Sequence, residues 1–196
     1  MRHRLRAVPA GAALLLGLAL LSGCTDVEGT GDAGYVSADG QLTEYAVAER
    51  GDPIVLEGED LEGQDLSLED FRGTPVVVNV WGSWCPPCRA EAPDLVDAAA
   101  ELGDAAVFVG INNRDSSTAQ AQSFEREYGV EYPSFYSPDG RALLAFAGSL
   151  SPRAIPSTTV LDREGRVAAT IVGRVPSATT VVTLVETVLA EDGADG

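Results

Sequence analysis

The feature that most constrains this chain is Val76-Val77-Val78-Asn79-Val80, followed at once by Trp81-Gly82-Ser83-Trp84-Cys85-Pro86-Pro87-Cys88. The β-branched run is too continuously apolar for a half-exposed strand and reads as a buried central strand. The cysteine motif behind it opens a helix, the context in which C-x-x-C reads as redox-active. Unpaired N–H groups and the macrodipole at a helix start favour an anion. They stabilise a Cys85 thiolate at neutral pH, and the thiolate is the nucleophile. Cys85 is therefore expected to be the exposed, attacking sulfur. Cys88, one turn inside, is placed to attack a mixed disulfide and release the partner. Pro87 falls early enough in the helix for its missing N–H to matter little. A static bridge across so short a loop would remove little unfolded-state entropy, so redox chemistry explains the pair better than stapling.

The flanking sequence supplies an α/β pattern. Ile54-Val55-Leu56 and Asp65-Leu66-Ser67 are expected to pair as a hairpin across Glu57–Gln64, and Leu68–Phe71 forms a single turn ended near Gly73. The helix of the cysteine motif runs to about Leu102, with Pro93 as a kink. Ala106–Ile111 reads as a second buried strand. Ser116 or Ser117 caps a helix through Tyr128 that stops at Gly129, and Arg141–Phe146 is a short helix. Ser157–Leu161 and Val167–Val172 are strands joined by the turn Asp162-Arg163-Glu164-Gly165, and Ser177 caps a last helix to about Leu189. This order predicts a mixed sheet with helices on both faces.

The N-terminus reads as a targeting segment. Arg2, Arg4 and Arg6 precede an apolar run, Ala10 to Leu21, that is short for a transmembrane span of roughly 20 residues. The following Leu21-Ser22-Gly23-Cys24 resembles the bacterial lipobox. That resemblance implies a signal peptide over 1–23, lipidation of Cys24, and an extracytoplasmic protein anchored to the cell membrane. Residues 24–50 are rich in small and polar side chains and are expected to be a flexible tether, with the folded domain over 51–193. An exported location permits disulfides, and lipidation of Cys24 leaves Cys85 and Cys88 as the remaining cysteines.

Composition narrows the chemistry. The net charge is -17, and the 13 basic residues are all Arg. Such an acidic body repels nucleic-acid phosphates. The one histidine is His3, within the expected signal peptide, so the mature chain offers no Cys-His nucleophile and no imidazole ligand. With two thiolates at most, no metal site and no cofactor are expected.

From about Gly51 to Leu189 the chain resembles the thioredoxin superfamily, and in particular its membrane-tethered TlpA/ResA branch. The residues that carry the resemblance are Val76–Val80, W-C-P-P-C, the helix with Pro93, and Ile155-Pro156-Ser157-Thr158-Thr159 before a strand. The resemblance implies a thioredoxin fold with an N-terminal β-hairpin extension. It also implies a cis Pro156 facing the disulfide, and an Ile155 backbone that pairs with an incoming substrate strand. Trp84, Pro86 and Pro87 would complete that binding surface, with Trp84 shielding the disulfide and Trp81 in the core. Cytosolic thioredoxin carries a buried Asp six residues before the first cysteine. Here Asn79 stands there and cannot accept a proton. Glu91, three residues beyond Cys88 on the same helix face, is the candidate base, as in the TlpA/ResA branch. Asp94 lies on a different face. Arg89 and Arg153 read as surface charges, Arg153 close to the proline loop.

The activity so implied is thiol-disulfide exchange with protein thiols and disulfides, as a reductant, for example of apocytochrome c during haem attachment. A membrane thiol-electron transporter would supply the electrons. A disulfide-donating oxidant is the alternative within the same chemistry. A thiol peroxidase is disfavoured, because Gly82 stands where the peroxiredoxin pattern has Thr. A copper-delivery module would require a histidine.

Overall fold

The computed structural model describes residues 41–150 and 154–191. The expected signal peptide, Cys24, most of the expected tether and Arg153 lie outside the described residues. Among the described residues there are eight strands: β1 Gln41–Glu44, β2 Glu57–Glu59, β3 Asp65–Ser67, β4 Val76–Trp81, β5 Val107–Asn113, β6 Ser134–Ser137, β7 Ser157–Leu161 and β8 Val167–Val172. Three α-helices join them: α1 Pro86–Leu102, α2 Thr118–Tyr128 and α3 Ala178–Glu191. The main sheet has the order β1-β8-β7-β4-β5-β6. Its β4–β5 and β5–β6 pairs are parallel, and its β4–β7, β7–β8 and β1–β8 pairs are antiparallel.

β4 lies in the middle because both its faces are apolar. Val77 packs with Leu95 of α1 and with Val181, Val182 and Val185 of α3. Val76, Val78 and Val80 point the other way, into a cluster with Leu68, Leu143 and Phe146. The second face is covered by short 3-10 helices, Leu68–Phe71 and Arg141–Phe146, and by the extended Ile54–Leu56 segment. The mixed sheet with helical cover on both faces is thus the expected thioredoxin-like fold. Helix boundaries follow local chemistry. The Ser117 hydroxyl accepts from the backbone N–H of Gln120, and Gly129 ends α2 with φ 72°, a left-handed conformation that glycine adopts without a Cβ penalty. α1 is continuous through Pro93, which faces solvent.

The structure differs from the sequence expectation in several places. The tether does not extend to residue 50: β1 pairs with β8 in the register Gln41↔Val172 to Glu44↔Ala169. Beyond it, Arg50 is buried and bonds Asp162 at 3.1 Å and Glu191 at 2.6 Å. The hairpin forms, but its first strand is Glu57–Glu59 in place of Ile54–Leu56. Ile54 and Leu56 are buried in the core, and the Ile54 N–H donates to the carbonyl of Gly165. Asp60 fixes the shifted register by accepting from the N–H groups of Glu62 at 2.9 Å and Gln64 at 2.8 Å. β6 has no counterpart in the sequence expectation: Ser134-Phe135-Tyr136-Ser137 is short and carries one fully apolar core residue, Phe135. Finally, the Arg141–Phe146 helix is of the 3-10 type.

Candidate active site

The parallel strands β4 and β5 end side by side, Trp81 opposite Asn112. The chain leaves β4 through a turn in which the Cys85 N–H donates to the carbonyl of Gly82 at 3.1 Å. Cys85 then occupies the N-cap of α1, and its sulfur accepts from the Cys88 N–H at 3.3 Å. Pro86 and Pro87 open the helix, where their missing N–H groups would have had no intrahelical partner. Cys85 and Cys88 form a disulfide with a Cα–Cα distance of 5.3 Å.

The exposure expected for Cys85 is not found: it is 2% exposed and Cys88 1%. Both cysteines belong to a buried cluster with Leu61, Trp81, Ala92, Ala121 and Phe124, and Ile155 packs against that cluster. The asymmetry between the two cysteines therefore lies in the helix terminus and not in accessibility. The solvent-facing rim consists of Trp84, which is 45% exposed, together with Pro86 and Pro87. Trp81 is core, its ring stacked on Phe124 with centroids 4.5 Å apart. The Ile155–Pro156 peptide bond is cis. The fold thus gathers Cys85, Cys88 and Ile155 in one apolar cluster, with Pro156 adjacent in the chain.

Glu91 lies one turn beyond Cys88, on the buried side of α1, with 0% exposure. One carboxylate oxygen accepts from Asn79 Nδ2 at 3.0 Å, and the other from the Val175 N–H at 2.8 Å. Asn79 also donates to Thr158 Oγ1 at 3.1 Å, which links the carboxylate to the strand that follows Pro156. Burial pushes the Glu91 carboxyl up to about 7, against the lowering effect of the Val175 and Asn79 hydrogen bonds and of Arg174. Asp94 reaches Arg174 at 3.7 Å and is partly exposed.

Two polar residues beside the motif behave differently from their sequence reading. Arg89 is more than a surface charge, since its Nε donates to the Ser83 carbonyl at 2.9 Å. Asp115 carries no signal in the sequence, yet it is buried and bonds Ser83. No local pattern identifies it, because Ser83 comes from beyond the end of another strand. Among the described residues, no group of three or more His, Cys, Asp or Glu side chains is arranged to hold a metal ion, and no helix is long and apolar enough to cross a membrane.

Comparison with known proteins agrees with this geometry. The family model described as Redoxin matches residues 46–189. Thiol-disulfide oxidoreductase ResA of Bacillus subtilis is 30% identical over 115 residues, which cover 59% of this chain and 62% of that protein. The match thus spans less than two thirds of the relative's length. Among solved structures, a DsbF homologue from Corynebacterium diphtheriae aligns with a TM-score of 0.70 and 35% identity, over 79% of this chain and 98% of that one. A secreted thiol-disulfide isomerase from Corynebacterium glutamicum aligns with a TM-score of 0.69 and 34% identity, over 78% and 97%.

Proposed function

The chain belongs to the redoxin family, and from that premise we propose that it is an extracytoplasmic thiol-disulfide oxidoreductase acting on protein partners through Cys85 and Cys88. The observation that carries this reading is the bonded cysteine pair at the N-terminus of α1, one turn from the buried Glu91. In the reducing direction, the Cys85 thiolate attacks a substrate disulfide. A Cys85–substrate disulfide forms and one substrate thiolate leaves. Cys88 then gives its proton to Glu91 and attacks the Cys85 sulfur. The second substrate thiolate leaves, the Cys85–Cys88 disulfide forms, and two electrons have passed to the substrate.

Each residue has a physical reason for its role. The helix start favours the Cys85 anion. Cys88 is a buried thiol that resists ionisation, because desolvation disfavours the charged form. A carboxylate with a value near 7 is matched to accept its proton at neutral pH. Trp84, Pro86, Pro87, Ile155 and Pro156 form the surface on which an extended substrate segment would lie. The oxidised pair would be returned to dithiol by a membrane thiol-electron transporter, with apocytochrome c among the substrates. Lipidation of Cys24 would hold the domain at the cell membrane, and mass spectrometry of membrane-extracted protein should then find a diacylglyceryl group on an N-terminal Cys24. An unmodified Cys24 there contradicts the anchor.

The direction of exchange is tested by equilibrating the protein in glutathione buffers and measuring the Cys85–Cys88 potential. A value near that of thioredoxin, about -270 mV, supports the reductant. A value near that of DsbA, about -120 mV, overturns it in favour of an oxidant.

A further inference from the structure

The loop between β5 and α2 reaches the redox turn at two points. At the first, the Asp115 carboxylate takes both polar groups of Ser83. Its Oδ2 accepts from the Ser83 N–H at 3.0 Å, and its Oδ1 accepts from the Ser83 hydroxyl at 2.5 Å. Asn112 Nδ2 donates to Oδ2 as well, at 2.6 Å. At the second point, the Trp84 indole N–H donates to the Asn113 carbonyl at 3.1 Å. Between them stands Arg114, with φ 64°, the one described non-glycine residue in the left-handed region. A side chain disfavours that conformation, so the surrounding contacts must hold it there. The space is also closed. A Cβ on Gly82 would come within 2.6 Å of Trp84 Nε1 and 2.9 Å of the Asn113 carbonyl oxygen.

These contacts bear on the two sulfurs unequally. Cys88 is carried by the body of α1. Cys85 is carried by the turn from Gly82, whose one buried polar side chain is that of Ser83. The position of the Cys85 sulfur relative to Cys88 therefore depends on where Ser83 is held. The buried Asp115 carboxyl group accepts three hydrogen bonds, two of them from Ser83, and Arg89 grips the Ser83 carbonyl from the helix side. We propose that Asp115 is a positioning residue for disulfide exchange, acting through Ser83 to hold the Cys85 sulfur at bonding distance from Cys88. The inference rests on the exchange chemistry proposed above and adds a residue to it. Holding two reacting atoms together raises their effective concentration, so the anchor stabilises the disulfide relative to the dithiol.

The test is the thiol-disulfide equilibrium of the full chain in glutathione buffers, read by peptide mapping of Cys85 and Cys88, for wild type, Ser83→Ala, Asp115→Asn and the double variant. Ser83→Ala leaves the Asp115 side chain in place and removes one bond, which separates the contact from the carboxyl group itself. Ser83→Ala should shift the equilibrium toward the dithiol by about threefold, and Asp115→Asn by up to about tenfold. The double variant should match Asp115→Asn alone, because the two side chains act as one unit. Ser116→Ala, in an exposed residue of the same loop that bonds Gln120, should stay at the wild-type equilibrium. If Asp115→Asn does not fold, Ser83→Ala alone decides. A wild-type equilibrium in Ser83→Ala, or additive effects in the double variant, overturns the proposal. A wild-type pair that exchanges with no thiol at all would sink the oxidoreductase reading itself, and this inference with it.

Discussion

Two buried carboxylates flank the cysteine pair, and their surroundings differ in kind. Glu91 is held by one backbone N–H and by one amide that it shares with Thr158 Oγ1 and the Ser157 carbonyl. Asp115 takes two donors from Ser83, on the redox turn, and one from Asn112, at its own strand end. A carboxylate with sparse, shared donors in apolar surroundings is free to gain a proton. One whose oxygens are both engaged by donors on the redox turn is suited to fixing a backbone. Burial alone does not distinguish a proton acceptor from an anchor. Under the roles proposed above, the difference lies in the donors: Glu91 accepts two bonds and Asp115 three.

The largest effect that would sharpen this contrast is on stability against pH. Glu91 has a folded-state value of about 7, above its ordinary 4.5, so the folded state binds the proton more tightly than the unfolded state does. The resulting stability is fully present below pH 4.5 and is lost as pH rises toward 7, a fall on the order of 3 kcal/mol at most. Glu125, half-buried beside Ser134, is also pushed up to about 7 by desolvation and contributes with the same sign. Urea unfolding of Glu91→Gln across pH 4.5–8 should therefore show a shallower decline than wild type, with the Glu125 share remaining. An identical decline in both proteins would place the Glu91 value near that of an exposed carboxylate.

The next effect is on the anchor. Asp115→Ala leaves the Ser83 N–H, the Ser83 hydroxyl and the Asn112 amide without their acceptor. It should destabilise the fold by about 2 kcal/mol in denaturant titration, since buried unsatisfied donors carry most of the penalty. A change within about 0.5 kcal/mol, the usual range for a plain surface site, would remove Asp115 from the account.

The third effect is kinetic. Glu91→Gln is close to isosteric and should slow exchange with a protein disulfide on the order of tenfold or more, with its dependence on pH near 7 flattened. Alkylation of reduced Cys85 should persist at an appreciable rate, because its activation comes from the helix terminus. Unchanged exchange and an unchanged profile would make Glu91 a structural carboxylate and end the contrast with Asp115.

Much of this arrangement is legible in the amino-acid sequence, and the division between what is and is not follows the range of the interactions. Val76–Val80, the cysteine turn, the Ser117 and Ser177 caps and the Asp162–Gly165 turn are set by neighbours in the chain, and they appear where the residues place them. Helical spacing, together with Asn79 at the position of the thioredoxin aspartate, singles out Glu91 as a candidate. It does not reveal β1, because Gln41-Leu42-Thr43-Glu44 has no strong periodicity and becomes a strand through the free edge of β8. β6 likewise depends on the edge of β5 and on one apolar side chain, Phe135. Asp115 sits in Asn-Arg-Asp-Ser-Ser, which reads as a solvated loop until β4 ends beside it and brings Ser83 within reach. The expected openness of Cys85 fails for the same reason: the buried cluster that holds the pair includes Leu61 and Phe124, distant in sequence.

Attack by Cys85 and resolution by Cys88 are separated by trapping. Cys88→Ser removes the resolving thiol and leaves the helix start intact. Incubated in the reduced state with a disulfide-bonded protein, the variant should accumulate a stable mixed disulfide that mass mapping places on Cys85, while wild type turns over and retains none. A Cys88→Ser protein that forms no mixed disulfide, or a Cys85→Ser protein that forms one through Cys88 at the same rate, would contradict the account.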